Sequence, residues 1–168
     1  MKPARKIPPK NSEPGVSRYY LPVAAVVAVI IIAVIIFFSL YHQTPSEGAA
    51  FQEAGTLYSS SVDLAQAGKY QEALDASDKA LALNVTSLIP LIQANRAGIL
   101  VMMGDNPNAI AAADASIAAA GNLTNTSSVA YFNKGNALKN LGRLADARAA
   151  YANATALDPV SFPTSPPI

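Results

Sequence analysis

The sequence predicts an all-α protein in which an N-terminal transmembrane helix is followed by a solenoid of three helical hairpins. Residues 21–40, LPVAAVVAVIIIAVIIFFSL, run for twenty residues without a charge. Alanine, the best helix former, accounts for 33 residues, most of them beyond residue 48. Gly68, Gly104 and Gly142 each close an apolar-periodic run and lie 36 and 38 residues apart, a period typical of stacked helical hairpins.

Residues 1–19 hold four prolines and several lysines and read as a disordered basic cytoplasmic tail. Residues 20–42 form the predicted span. A twenty-residue helix covers about 30 Å, the thickness of a bilayer core. Fourteen of the twenty residues of the run are Leu, Ile, Val or Phe. At mid-helix values they favour insertion by roughly 4 to 8 kcal/mol as an upper bound. Pro22 falls in the first turn, where its missing N–H costs nothing. Five Lys/Arg precede the run and none occurs after it until Lys69. The expected orientation is therefore N-terminus cytoplasmic with the rest extracytoplasmic, a single-pass cell-membrane protein. The run is too long for a cleaved signal, and the nearest small residues, Gly48 to Ala50, come too late. It reads as an uncleaved signal-anchor.

Residues 43–53 are a linker and the start of the first repeat helix, with Ser46 before Glu47 as a starting signal. Caps, glycines and prolines divide residues 47–159 into helices. Asn106-Pro107 reads as a cap with proline at the first helical position. Ser87 and Ser127 or Ser128 are candidate caps, and Asp158-Pro159 stops the last helix. Six helices are expected near 47–67, 70–84, 88–103, 107–120, 128–141 and 144–157. They group into repeats of about 54–87, 88–124 and 128–159, with longer connections at 84–87 and 121–128. Residues 160–168, VSFPTSPPI, read as a disordered Pro-rich tail without a capping helix.

The last unit resembles a tetratricopeptide repeat. Tyr131, Lys134-Gly135, Leu138, Gly142, Ala147, Tyr151, Ala154 and Pro159 stand at that family's spacing, with Lys134 where leucine is usual. The first unit is similar through Leu57, Ser60-Ser61, Leu64, Gly68, Tyr70, Ala73 and Ala80, with Val85 in place of proline. In the middle unit Ala97, Leu100, Gly104, Ala109 and Ala113 fit, while Gln93 and Arg96 sit where apolar residues belong. The resemblance covers roughly residues 54–159. It implies a groove lined by the first helices that binds a peptide or helix of a partner protein. The implied groove residues are Tyr58, Val62, Asn95, Met102, Phe132, Asn133, Asn136 and Lys139. Some members clamp carboxylates with lysines and asparagines, but Tyr58 and Val62 stand where such a clamp needs Lys and Asn.

Composition excludes other classes. The net charge is +1, yet residues 47–158 carry ten acidic and seven basic residues, a net of −3. That leaves no basic face for nucleic acid. With no cysteine there is no disulfide or thiolate chemistry. The single histidine, His42, flanks the predicted span. Asp75 and Asp78 belong to a solvated helix face beside Lys79. No catalytic grouping, metal-ligand set or phosphate loop appears, so neither an enzyme nor a cofactor is expected.

Four of eleven asparagines begin N-x-S/T, namely Asn84, Asn122, Asn125 and Asn153, against roughly 1.4 expected by chance from the composition. They are candidate glycosylation sites, in keeping with an extracytoplasmic body. The expected function is protein–protein scaffolding at the membrane through an unidentified partner. The alternative is a self-associating structural subunit of a surface layer or filament.

Overall fold

The computed structural model describes residues 26–27, 29–37 and 47–163. The chain divides into two compact units, Met1–Pro45 and Ser46–Ile168.

In the first unit, α1 is helical at residues 26–27 and 29–37, and its large apolar side chains from Val26 to Phe37 are exposed. No helix among the described residues is long and apolar enough to cross a membrane. The predicted span, 20–42, extends on both sides into residues outside the described ones. The basic tail and His42 also lie outside them.

The second unit contains α2 (Glu47–Gln66), α3 (Tyr70–Ala82), α4 (Ile89–Met103), α5 (Asn106–Ala120), α6 (Thr124–Asn140) and α7 (Leu144–Leu157). They pair as three hairpins, α2/α3, α4/α5 and α6/α7. Each first helix after the initial one packs on the second helix of the preceding hairpin. In addition α4 lies extensively along α6, whereas α2 meets α4 only sparsely.

One corner is built three times. Gly68, Gly104 and Gly142 take φ of 76°, 80° and 73°, left-handed backbone that glycine adopts without steric cost. The next residue's N–H reaches back to the carbonyl of a leucine: Lys69 to Leu64, Asp105 to Leu100 and Arg143 to Leu138, each at 2.9 Å. The glycine N–H bonds the carbonyl three residues earlier, completing a Schellman motif. The residue after the glycine then starts the second helix, its carbonyl accepting from the N–H of Ala73, Ala109 or Ala147 at 2.9–3.0 Å. Those three alanines are fully buried.

Small side chains dominate the interior. Ala94, Ala97, Ala109, Ala112, Ala113, Ala130 and Ala137 surround Leu100 between the second and third hairpins. In the last hairpin Tyr151, 1% exposed, fills the space beside Leu138, Ala147 and Ala150. Its ring lies where a Cβ on Gly135 would stand, 2.5 Å from the nearest ring carbon. The tyrosine fits only because position 135 has no side chain. Gln93, where the repeat pattern wants an apolar residue, keeps a buried Oε1 with no hydrogen-bond partner.

Three expectations are corrected. Helix α6 begins at Thr124, four residues before the expected start, because left-handed Gly121 and Asn122 make a short turn and Leu123 takes the N-cap. Ser127 and Ser128 are therefore not caps but buried residues within the helix, and the Ser128 hydroxyl donates to the Asn125 carbonyl at 2.8 Å. Helix α5 is capped by Asp105, whose carboxylate accepts from the Asn108 N–H, and Asn106 is already helical. Ser87 caps nothing either; Leu88 holds that position, without a side-chain bond.

The first residues of the Pro-rich tail are also ordered. The Ser161 N–H donates to Asp158 Oδ1 and the Phe162 N–H to the Asp158 carbonyl, each at 3.0 Å. This turn stacks the Phe162 ring on Phe132, with centroids 4.8 Å apart and planes at 29°. The turn thus covers Phe132, while Leu144, Leu157 and Val160 at the open end of the array stay exposed. Residues 164–168 lie outside the described ones.

These contacts carry two expected outcomes. Gly135→Ala should cost about 1–3 kcal/mol by overpacking. In urea unfolding it should cost less when added to a Tyr151→Leu background, because that background lacks the obstructing ring. The Ser161 N–H bond holds the Asp158 carboxyl below its ordinary value of 3.8. A depressed folded-state pKa stabilises above the unfolded value and loses that contribution as pH falls through the folded one. Amide protection at Ser161 should therefore decline below pH 3.8, and Asp158→Ala should abolish it at every pH.

Candidate functional site

The first helices of the hairpins present a shallow groove. Two adjoining pockets, of about 410 and 320 Å³, share Val62 of α2, Ala94 and Asn95 of α4, and Val129 of α6. One continues past Met102, Asn133 and Asn136, the other past Tyr58, Leu91 and Thr126. The sparse contact between α2 and α4 leaves room for it.

Six of the eight expected groove residues line these pockets: Tyr58, Val62, Asn95, Met102, Asn133 and Asn136. Phe132 does not. It packs between Tyr151, at a centroid distance of 5.6 Å, and Phe162. One residue along a helix rotates a side chain by about 100°, enough to move Phe132 off the face that Asn133 occupies. Lys139 is exposed and outside the lining of either pocket. Leu91 and Val129 were missed, although each stands one helical turn before a groove asparagine, and that periodicity was the available signal.

The groove asparagines are held from behind. Asn95 Nδ2 donates to Ser61 Oγ at 2.9 Å, and Ser61, fully buried, donates to the Ala73 carbonyl at 2.8 Å. Ser61 has one proton, so Ser77 is the donor across the 2.7 Å contact between their hydroxyls. Ser61 thus uses its full capacity to tie α2, α3 and α4 together. Asn133 Nδ2 donates to the Ala94 carbonyl at 3.0 Å, drawing α6 against α4. Asn136 Oδ1 accepts from the Tyr151 hydroxyl at 2.8 Å. Burial raises the phenols of Tyr58 and Tyr151 above their ordinary value of 10, so both stay neutral at physiological pH. No Lys, Arg, Asp or Glu lines either pocket.

Charges cluster elsewhere. Arg96 pairs with Asp78 at 2.8 Å and Lys134 with Asp114 at 2.6 Å, each joining a first helix to the second helix of the preceding hairpin. These are the basic residues that depart from the repeat pattern. In the corresponding places, Ser60 replaces the base in the first hairpin and Ala152 the acid in the last, both exposed. Asp75 accepts from Gln71 at 3.1 Å on the helix surface. A third pocket, near the second helices of the last two hairpins, contains both Lys134–Asp114 and Arg143–Asp146, its charges paired internally. Among the described residues no group of three His, Cys, Asp or Glu is placed to hold a metal.

Residues 128–159 match the tetratricopeptide repeat family. The body also has the fold of solved tetratricopeptide domains. The first such domain of human RPAP3 aligns with a TM-score of 0.58 at 24% identity, over 66% of this chain and 82% of that one. The first such domain of Spaghetti (RPAP3), bound to the HSP90 peptide SRMEEVD, aligns with a TM-score of 0.58 at 25% identity, over 66% and 83%. No curated protein matches the chain. The tetratricopeptide match begins inside α6, with the first turn of that helix lying before it.

The sequon asparagines separate into two settings. Asn84, at φ 52°, and Asn122 are exposed in the turns between hairpins. Asn125 is exposed in the first turn of α6 at the groove edge, rather than in the expected loop, and Asn153 is exposed in the middle of α7.

Ser61→Ala should cost about 1–3 kcal/mol, since Ser77 and Asn95 lose a buried partner. Arg96→Gln and Lys134→Gln, at half-exposed pairs, should each change stability by under about 1 kcal/mol. Denaturant unfolding of the three variants checks both expectations.

Proposed function

We propose that the protein is a single-pass membrane-anchored scaffold that presents its tetratricopeptide-type body outside the cytoplasm and binds a partner protein there. The observation carrying this reading is the groove to which all three first helices contribute, its asparagines fixed by bonds to the frame. Extended peptides and amphipathic helices are held in grooves of this kind, and the Spaghetti (RPAP3) domain holds a peptide. The uncharged run of residues 21–40 and the five preceding basic residues support the anchor and its orientation. Exposed sequons at Asn84 and Asn122, neither of them in the groove lining, suit glycans on a body outside the cytoplasm. The alternative is a self-associating layer or filament subunit; Phe162 covers Phe132 of the last hairpin, so its contacts would fall on the exposed Leu144, Leu157 and Val160.

The test is crosslinking of the intact protein in its own membranes, read by mass spectrometry beside Val62→Glu with Val129→Glu. A partner captured by the natural chain and lost in the variant supports the scaffold. Recovery of the chain alone, or of the same partners by both, sinks it. Protease added to sealed cells reports topology: the body should be cut from outside and residues 1–19 protected.

A further inference from the structure

We infer that the groove takes an uncharged, extended peptide segment with apolar side chains, and that it rejects acidic peptides. This rests on the reading of the groove as a peptide site and states the chemistry of its occupant.

Electrostatics comes first. The SRMEEVD peptide held by the Spaghetti (RPAP3) domain carries three carboxylate side chains. Here the lining offers no cation to meet them. Burying a carboxylate without a partner costs more than any apolar contact beside it returns. The bases that could have served are committed to other faces, Arg96 to Asp78 and Lys134 to Asp114. What the groove does offer is exposed apolar surface, with Met102 63% and Val129 41% exposed, beside partly buried Val62 and Leu91.

Hydrogen bonding decides between an extended chain and a helix. Asn95 and Asn133 each use Nδ2 on the frame and keep Oδ1 as an open acceptor; Asn136 uses Oδ1 and keeps its Nδ2 donors. A helix has already satisfied its backbone N–H and C=O groups and has no use for such atoms. An extended segment presents both. Asn95 and Asn133 stand nine residues before their corner glycines, the same place in successive hairpins. Packed helices lie about 10 Å apart, and an extended chain rises about 3.3 Å per residue. A segment crossing α4 and α6 would therefore meet an asparagine about every third residue.

The test presents the full chain, in detergent micelles, with a library of N-acetylated, C-amidated decapeptides of random composition. Retained peptides are sequenced for the natural protein, for Val62→Glu with Val129→Glu, and for Val62→Lys with Met102→Lys. The expected result is depletion of Asp and Glu by at least about tenfold relative to input, equivalent to about 1.4 kcal/mol. Enrichment of Leu, Val, Ile and Met should accompany it. Retention should be lost in the glutamate variant, and acidic residues should return in the lysine variant. Retention of acidic peptides, or of peptides without bias, that the glutamate variant abolishes would overturn the inference and leave the groove a binding site. Retention of no peptide, or equal retention by all three proteins, would overturn both. Circular dichroism of the variants confirms that each retains its helical fold.

Discussion

The hydrogen bond from the residue after each corner glycine to a leucine carbonyl five residues earlier is the contact on which the body depends. It ends one helix, sets the angle of the next and places an alanine at the crossing, three times over. Because that alanine is fully buried, the two helices of a hairpin approach closely, and little volume remains for side chains between them. The largest fully buried side chain, Tyr151, belongs to the last hairpin. There Tyr151 needs the space that Gly135 leaves.

The groove is the other face of the same geometry. Once alanine-lined crossings fix the hairpins, the first helices share one side, α4 along α6, and the sparse meeting of α2 with α4 opens a gap. A gap lined only by apolar residues would be soft. Hydrogen bonds from Asn95 to Ser61 and from Asn133 to the Ala94 carbonyl, and from the Tyr151 hydroxyl to Asn136, bind its floor to the frame. The atoms that could recognise a segment are thus held by atoms that already serve stability, and preorganisation of this kind lowers the cost of binding.

The corners were legible because glycine spacing and apolar periodicity are local signals, and all three glycines adopt the left-handed backbone that their positions imply. What was misread depended on tertiary context. Asn125-Thr126-Ser127-Ser128 has the composition of a loop, yet it is helical, because two serines are small enough to lie buried and one bonds its own backbone. Phe132 was assigned to the groove by family position, but the tail turn supplies an aromatic partner on another face. Lys134 and Arg96 departed from the repeat pattern, and only the placement of Asp114 and Asp78 on the preceding hairpins explains them.

Those two ion pairs also set how an array like this can lengthen. A copy of the middle hairpin inserted between the second and third would set its own arginine against Asp114 and its own aspartate against Lys134, so every joint would stay paired. A hairpin appended after the last would set its base against Ala152, and one prefixed to the first would set its acid against Ser60. Duplication in the interior would therefore keep both pairings intact, whereas a hairpin added at either terminus would leave one charge at the new joint without its partner.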